Sequence, residues 1–85
     1  MVRWDPEKNE RLKLKRGVSF EELMQAEVVG DFVSDKRAGQ MMLFVLYNDY
    51  IWVIPYVKEG DGGVFLKTAF PSRKFMWLSL KGELI

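Results

Sequence analysis

The chain has 85 residues, of which 48% are hydrophobic and 29% charged, with a formal net charge of +1. That length holds one domain, residues 1–85, and lets it bury roughly 60–65% of the surface of the unfolded chain. The balance of apolar and charged residues is that of a globular protein. There is no cysteine and no histidine. A disulfide frame, zinc sites of the usual kind, Ser–His triads and histidine acid–base pairs are therefore excluded. Any chemistry must run on Lys, Arg, Tyr, Ser, Thr, Asp or Glu.

Val2–Trp4 reads as a short strand. A first helix is predicted from Pro6 to Arg16. Asp5 caps it, Pro6 fits its first turn, and Gly17 supplies the left-handed residue that closes it. Lys8, Arg11 and Lys15 share one face, so much of this helix must look at solvent or at a ligand. Ser19 and Glu22 have capping-box spacing at the start of a second helix, predicted from Phe20 to about Val28. Its stripe of Phe20, Leu23, Met24 and Val28 is a core-packing pattern. Gly30-Asp31 ends it, Phe32-Val33 reads as a brief strand, and 34–40 as a polar loop.

Met41–Tyr47 and Tyr50–Val57 are rich in branched and aromatic residues and read as a hairpin about Asn48-Asp49. Continuous apolar runs imply strands covered on both faces, by helices or by a partner chain. Pro55 has no ladder donor, which predicts an irregularity or an unpaired side. Glu59–Gly63 is a turn, Val64–Phe70 the last strand, and 72–81 a final helix stopped by Gly82. The order predicts an α+β fold. It comprises a small antiparallel sheet of three to four strands, two N-terminal helices and one C-terminal helix, with the helices on one face. The apolar segments are far shorter than the roughly 20 residues of a membrane span. No signal-peptide pattern opens the chain. The expectation is a cytoplasmic protein with no membrane partner.

The net charge hides a division. Through Arg16 there are six basic and three acidic residues, from Gly17 to Gly63 three and eight, and from Val64 to Gly82 four and none. If the two basic ends meet in the fold, they make a surface suited to phosphates. Ordinary solvated lysines are the plainer account of the same count.

Two segments carry a family resemblance. The opening, Trp4-Asp5-Pro6-Glu7-Lys8-Asn9 followed by Arg16-Gly17-Val18-Ser19-Phe20-Glu21-Glu22, resembles that of the BrnT toxins, part of the wider RelE-like ribonuclease group. Phe65 to Lys74, ending in Ser72-Arg73-Lys74, resembles that family's last strand running into its final helix. The resemblance implies a RelE/BrnT-like fold and a ribonuclease toxin of a type II toxin–antitoxin system. It implies RNA as substrate, no cofactor and no metal. It also implies a cognate antitoxin of ribbon-helix-helix type that neutralises the toxin in a hetero-oligomer. The family carries a histidine near the middle loop, and this chain departs from that pattern.

Arg73 and Lys74 stand in the first turn of a predicted helix, where the backbone dipole disfavours cations. An acidic side chain or a substrate phosphate would relieve the conflict. The resemblance carries the pair over as active-site residues. Lys67, mid-strand, is either an edge-protecting charge or a third site residue. Alternation places it with Phe65 and Ala69, opposite Leu66 and Thr68. Arg73, Trp77 and Lys81 share a helix face. The indole could stack a base or pack on the sheet. Phe75, Met76 and Leu80 read as core. Lys13, Lys15 and Arg16 suit the end of the first helix and are candidates for RNA phosphates. Tyr47, Tyr50 and Tyr56 are candidate proton donors, though strand tyrosines are usually packing residues. In the expected mechanism the ribose 2′-OH attacks phosphorus, Arg73 holds the phosphate, and Lys74 or Lys67 moves the proton. A non-catalytic module that binds RNA or protein, including a degenerate toxin that only binds antitoxin, is the alternative.

Overall fold

The computed structural model describes residues 1–34 and 39–82. Strand β1 (Val2–Trp4) leads into helix α1 (Pro6–Arg16) and helix α2 (Phe20–Met24). Strands β2 (Glu27–Val33), β3 (Gln40–Tyr47), β4 (Tyr50–Lys58), β5 (Val64–Leu66) and β6 (Phe70–Pro71) follow, and α3 (Arg73–Leu80) comes last. The strands form one six-stranded sheet in the order β1-β5-β4-β3-β2, with β6 also paired to β4. The sheet is mixed, because β1 runs parallel to β5 and the other pairings are antiparallel. The expectation of three to four antiparallel strands therefore undercounts. Val2–Trp4 is a strand as expected, whereas β6, only two residues long, carries too little periodicity to be told from the strand before it.

The capping signals are realised. Asp5 accepts from the Glu7 N–H, and Gly17 adopts φ 71° and donates to the Lys13 carbonyl. Ser19 and Glu22 form a reciprocal capping box. The second helix nonetheless ends at Met24, where the sequence predicts continuation to about Val28. Glu27–Val33 joins β3 instead, and Val28 is a half-exposed strand residue. β-branched Val28 and Val29 prefer the pleated surface once a partner strand is present. The β2 register shifts between Val28 and Gly30. A Cβ on Gly30 would come within 2.5 Å of the Phe32 ring, so any larger residue there would have to displace that ring. The predicted loop 34–40 falls partly outside the described residues, and Gln40 belongs to β3.

The β3–β4 hairpin is the centre of the sheet. Tyr47 pairs with Tyr50 around Asn48 and Asp49, whose φ values of 51° and 61° suit a two-residue primed turn. Alternation sends Val45, Trp52, Ile54 and Tyr56 to one face, where Leu12 of α1 and Phe20 and Leu23 of α2 cover them. Phe44, Ile51 and Val53 point to the other face, where Phe75 and Met76 of α3 pack against them. The helices thus sandwich the sheet instead of sharing a face. The unbroken apolar runs of β3 and β4 already required cover on both sides.

Pro55 produces the irregularity that its sequence position predicts. The Lys67 N–H donates to the Pro55 carbonyl at 2.8 Å. The reciprocal bond, from residue 55 to the Lys67 carbonyl, cannot form because proline has no N–H. The ladder breaks there. Between its pairings, β4 steps from Tyr56 back to Val53 while its partner advances from Leu66 to Phe70, one residue more. This bulge ends β5 at Leu66 and starts β6 at Phe70, where one continuous strand is predicted. It also changes the facing of the chain. Ala69 joins Leu66 in the buried core beneath α1 and α2, not Phe65 and Lys67 as strict alternation predicts.

Asn9 ties α1 to α2. It is 4% exposed, accepts from the Phe20 N–H at 2.8 Å and donates to Glu21 at 2.7 Å. Replacing it with alanine leaves a helix-start N–H without its acceptor. Asn9→Ala is expected to lower the unfolding free energy by about 1–3 kcal/mol, read from guanidinium denaturation curves.

Candidate nucleic-acid interface

The i, i+3, i+4 repeat of a helix puts Lys8, Arg11, Leu12, Lys15 and Arg16 on one side of α1. Leu12 is buried and docks the helix on the sheet. The four cations flank it. Opposite them runs the bulged segment Thr68–Phe70, and the two elements enclose a groove of about 450 Å³. Leu12, Phe20 and Ala69 contribute its apolar lining, and no carboxylate lines it. The Arg11 ion pair with Glu7 spans 3.9 Å between two exposed side chains, and such a pair contributes little. Among the described residues, neither Lys15 nor Arg16 is paired with a carboxylate. The Lys8 ammonium donates to the Lys67 carbonyl at 2.9 Å, the group that Pro55 leaves without a ladder partner.

The sequence-predicted residues divide among three places. Lys15 and Arg16 line the groove. Lys13 turns away to Glu10 at 2.9 Å, and that hydrogen bond raises its pKa. The Lys67 ammonium lies 5.8 Å from the Phe65 ring centroid, on an exposed side chain. Arg73 and Lys74 are exposed in the first turn of α3, which contains no acidic residue. The Lys74 ammonium is 5.6 Å from the Phe75 ring centroid. No carboxylate among the described residues pairs with either cation, so the local conflict with the helix dipole has no answer within them. Trp77 is 59% exposed and does not pack on the sheet, and the Lys81 ammonium lies 4.2 Å from its ring centroid. Leu80, read as core, is 74% exposed.

Lys67, Arg73, Lys74, Trp77 and Lys81 are not among the residues lining the groove. The basic ends meet only in part: the first helix supplies the groove, and α3 begins three residues beyond Phe70, which also lines it. Three residues of chain span at most about 11 Å. Lys8, Arg11 and Thr68 join the groove beyond the site residues expected from the sequence. The shared face of Lys8, Arg11 and Lys15 signalled the first two, whereas Thr68 depends on the bulge.

Two of the tyrosines are engaged by carboxylates. Tyr47 donates to Glu22 and Tyr56 to Asp31, both at 2.7 Å. Burial, then the Asp31 hydrogen bond, pushes the Tyr56 hydroxyl up to about 12. The Glu22 hydrogen bond likewise raises Tyr47. Raised phenols hold their protons, which suits packing better than proton transfer near neutral pH. Among the described residues, no three metal-ligating side chains converge. None of their helices is long and apolar enough to cross a membrane.

No protein-family model matches the sequence, and no curated protein matches it at significance. The structure does match a solved one. It aligns with the 1.1 Å crystal structure of the Brucella abortus ribonuclease toxin BrnT at a TM-score of 0.55 and 18% identity. The alignment covers 84% of this chain and 94% of the Brucella chain. The chain has the BrnT fold. The α+β class and three helices expected from the sequence are shared with that fold, while the sheet is mixed and larger than the three to four antiparallel strands expected.

Glu22 offers a test of the electrostatics. Hydrogen bonds from Tyr47, then from Ser19, hold its carboxyl below the ordinary 4.5. Its stabilising contribution is therefore complete at neutral pH and is lost as the pH falls below about 4.5. In Tyr47→Phe the Glu22 carboxyl should titrate closer to 4.5 than in the parent, read by carboxyl-selective NMR.

Proposed function

We propose that this chain is a ribonuclease toxin that binds single-stranded RNA in the cationic groove and cleaves it through the ribose 2′-OH without a metal. The observation that carries the reading is a groove with four cations and no lining carboxylate, on a chain with the BrnT fold. Arg11, Lys15 and Arg16 hold successive phosphates, the two arginines by bidentate contact. An RNA strand leaving the groove past Phe70 reaches the start of α3. There the scissile phosphate supplies the negative charge that Arg73, Lys74 and the free N–H groups of the first turn lack. Arg73 stabilises the charge of the phosphorane. Lys74 or Lys67 accepts the 2′-OH proton or protonates the departing 5′-oxygen. Lys13, Lys81 and Trp77 extend the contact surface at either end.

With no histidine available, positioning and charge carry more of the catalysis than matched acid–base pairs do. A cognate antitoxin would neutralise the activity. The exposed apolar side chains of α3, Trp77 and Leu80, and of edge strand β2, Val28 and Val33, give it a surface to cover.

Purified protein incubated with end-labelled RNA in a chelator should yield fragments ending in a 2′,3′-cyclic phosphate. Arg73→Ala should lower the cleavage rate by about 10²–10³-fold while RNA affinity changes only a few-fold. Arg11→Ala with Lys15→Ala should instead weaken binding and flatten its salt dependence, by about 0.7 in the log–log slope for each phosphate contact removed. RNA retained on the wild-type protein but never cut would leave a binding module in place of an enzyme.

A further inference from the structure

The Lys67 carbonyl is the most unusual polar group beside the groove. Pro55 opposite it has no N–H, so the sheet cannot satisfy it. Its hydrogen bond comes instead from the Lys8 ammonium at 2.9 Å, an exposed side chain that itself lines the groove. The next residue in the chain, Thr68, also lines the groove, which places the carbonyl at its rim. A lysine ammonium binds a phosphate more strongly than a neutral carbonyl, because the charges assist the hydrogen bond. A polyanion in the groove therefore draws on Lys8, and the carbonyl, which can accept two hydrogen bonds, is open to a further donor. Ribose offers one in its 2′-OH, and deoxyribose does not.

We propose that the Lys67 carbonyl accepts a hydrogen bond from a ribose 2′-OH of the bound strand, so that the defect created by Pro55 lets the groove tell RNA from DNA. The proposal rests on the RNA reading of the groove and adds the group that recognises the sugar. Two features support it beyond the geometry of the carbonyl. A backbone oxygen is held in place by the Lys67 N–H bond to Pro55, so its position is fixed before a ligand arrives. The cations around it are indifferent to the sugar, since phosphates are common to both nucleic acids.

The test compares three fluorescent single strands of one sequence: RNA, 2′-fluoro RNA and DNA. Fluorine preserves the RNA-like sugar shape but cannot donate. Binding is read by anisotropy at fixed salt in the Arg73→Ala background, which on the cleavage reading still binds RNA but cuts it slowly, with intact strands verified on a gel. RNA is expected to bind roughly three- to tenfold tighter than the other two. Pro55→Val supplies the missing N–H and occupies the carbonyl. It should bring the three affinities within about twofold of one another without changing that for DNA. Lys8→Met removes the competing ammonium and should keep the preference for RNA while weakening all three. Circular dichroism and thermal unfolding establish that each variant is folded, and Lys8→Met decides the matter if Pro55→Val does not fold. Equal binding of the three strands by the Arg73→Ala parent, a preference that survives when folded Pro55→Val is added to it, or its loss when Lys8→Met is added overturns the proposal. Failure of every strand to bind overturns the nucleic-acid reading along with it.

Discussion

The absence of one N–H, on Pro55, shapes this molecule more than any contact it makes. Proline is normally kept out of central strands because a ladder bond is lost. Here the lost bond falls on the side of β4 that faces β5, while Pro55 keeps its place opposite Met42 in β3. The partner strand responds with a bulge, and the bulge turns Ala69 into the core. Thr68 is left along the groove, and the Lys67 carbonyl is left for Lys8. Helix α1 is thereby held at the sheet from two directions, by Leu12 from within and by Lys8 from the rim.

The sheet separates two cationic regions with different characters. The groove beneath α1 is concave, partly apolar, and lined by side chains whose helix is fixed by the Asn9 bridge and two capping motifs. The start of α3 lies on a helix that packs against the other face. Its Arg73 and Lys74 are exposed on a turn without acids. The two cationic regions thus stand on elements that do not pack on each other. Changes in one can be accommodated without refitting the other, because distant sites with no shared partners contribute nearly independently.

Much of this was legible in the chain, for reasons that can be given residue by residue. Asp5, Pro6, Gly17, Ser19 and Glu22 act within a turn of themselves, so their meaning does not depend on tertiary context. Asn48 and Asp49 tolerate positive φ, and the apolar runs on either side allow little but a hairpin. The helical spacing of Val28 from Leu23 and Met24 is real but subordinate to pairing with β3. The apolar runs of β3 and β4 need cover on both faces, and α3 supplies it on the face opposite α1 and α2. Ala69 shows the sharper limit. Alternation places Lys67 beside Phe65 correctly but assigns the face of Ala69 correctly only in an unbroken strand, and the residue that breaks it stands fourteen positions before Ala69, on the neighbouring strand. The cations were counted correctly from composition. Which of them converge was decided by the side of the sheet on which each helix lands.

The anchoring of α3 has a dynamic corollary. This helix holds no fully buried residue and grips the sheet chiefly through Phe75 and Met76, while Trp77 and Leu80 face outward. At eight residues it is too short to persist on its own propensity. Its detachment would leave the two capped helices and the central hairpin in place, and elements with few buried contacts open locally at low cost. Peeling it back would bare Phe44, Ile51 and Val53. A protein that clamped this helix in its docked form would stiffen the whole domain, and one that captured it detached would uncover an apolar surface ready for sequestration.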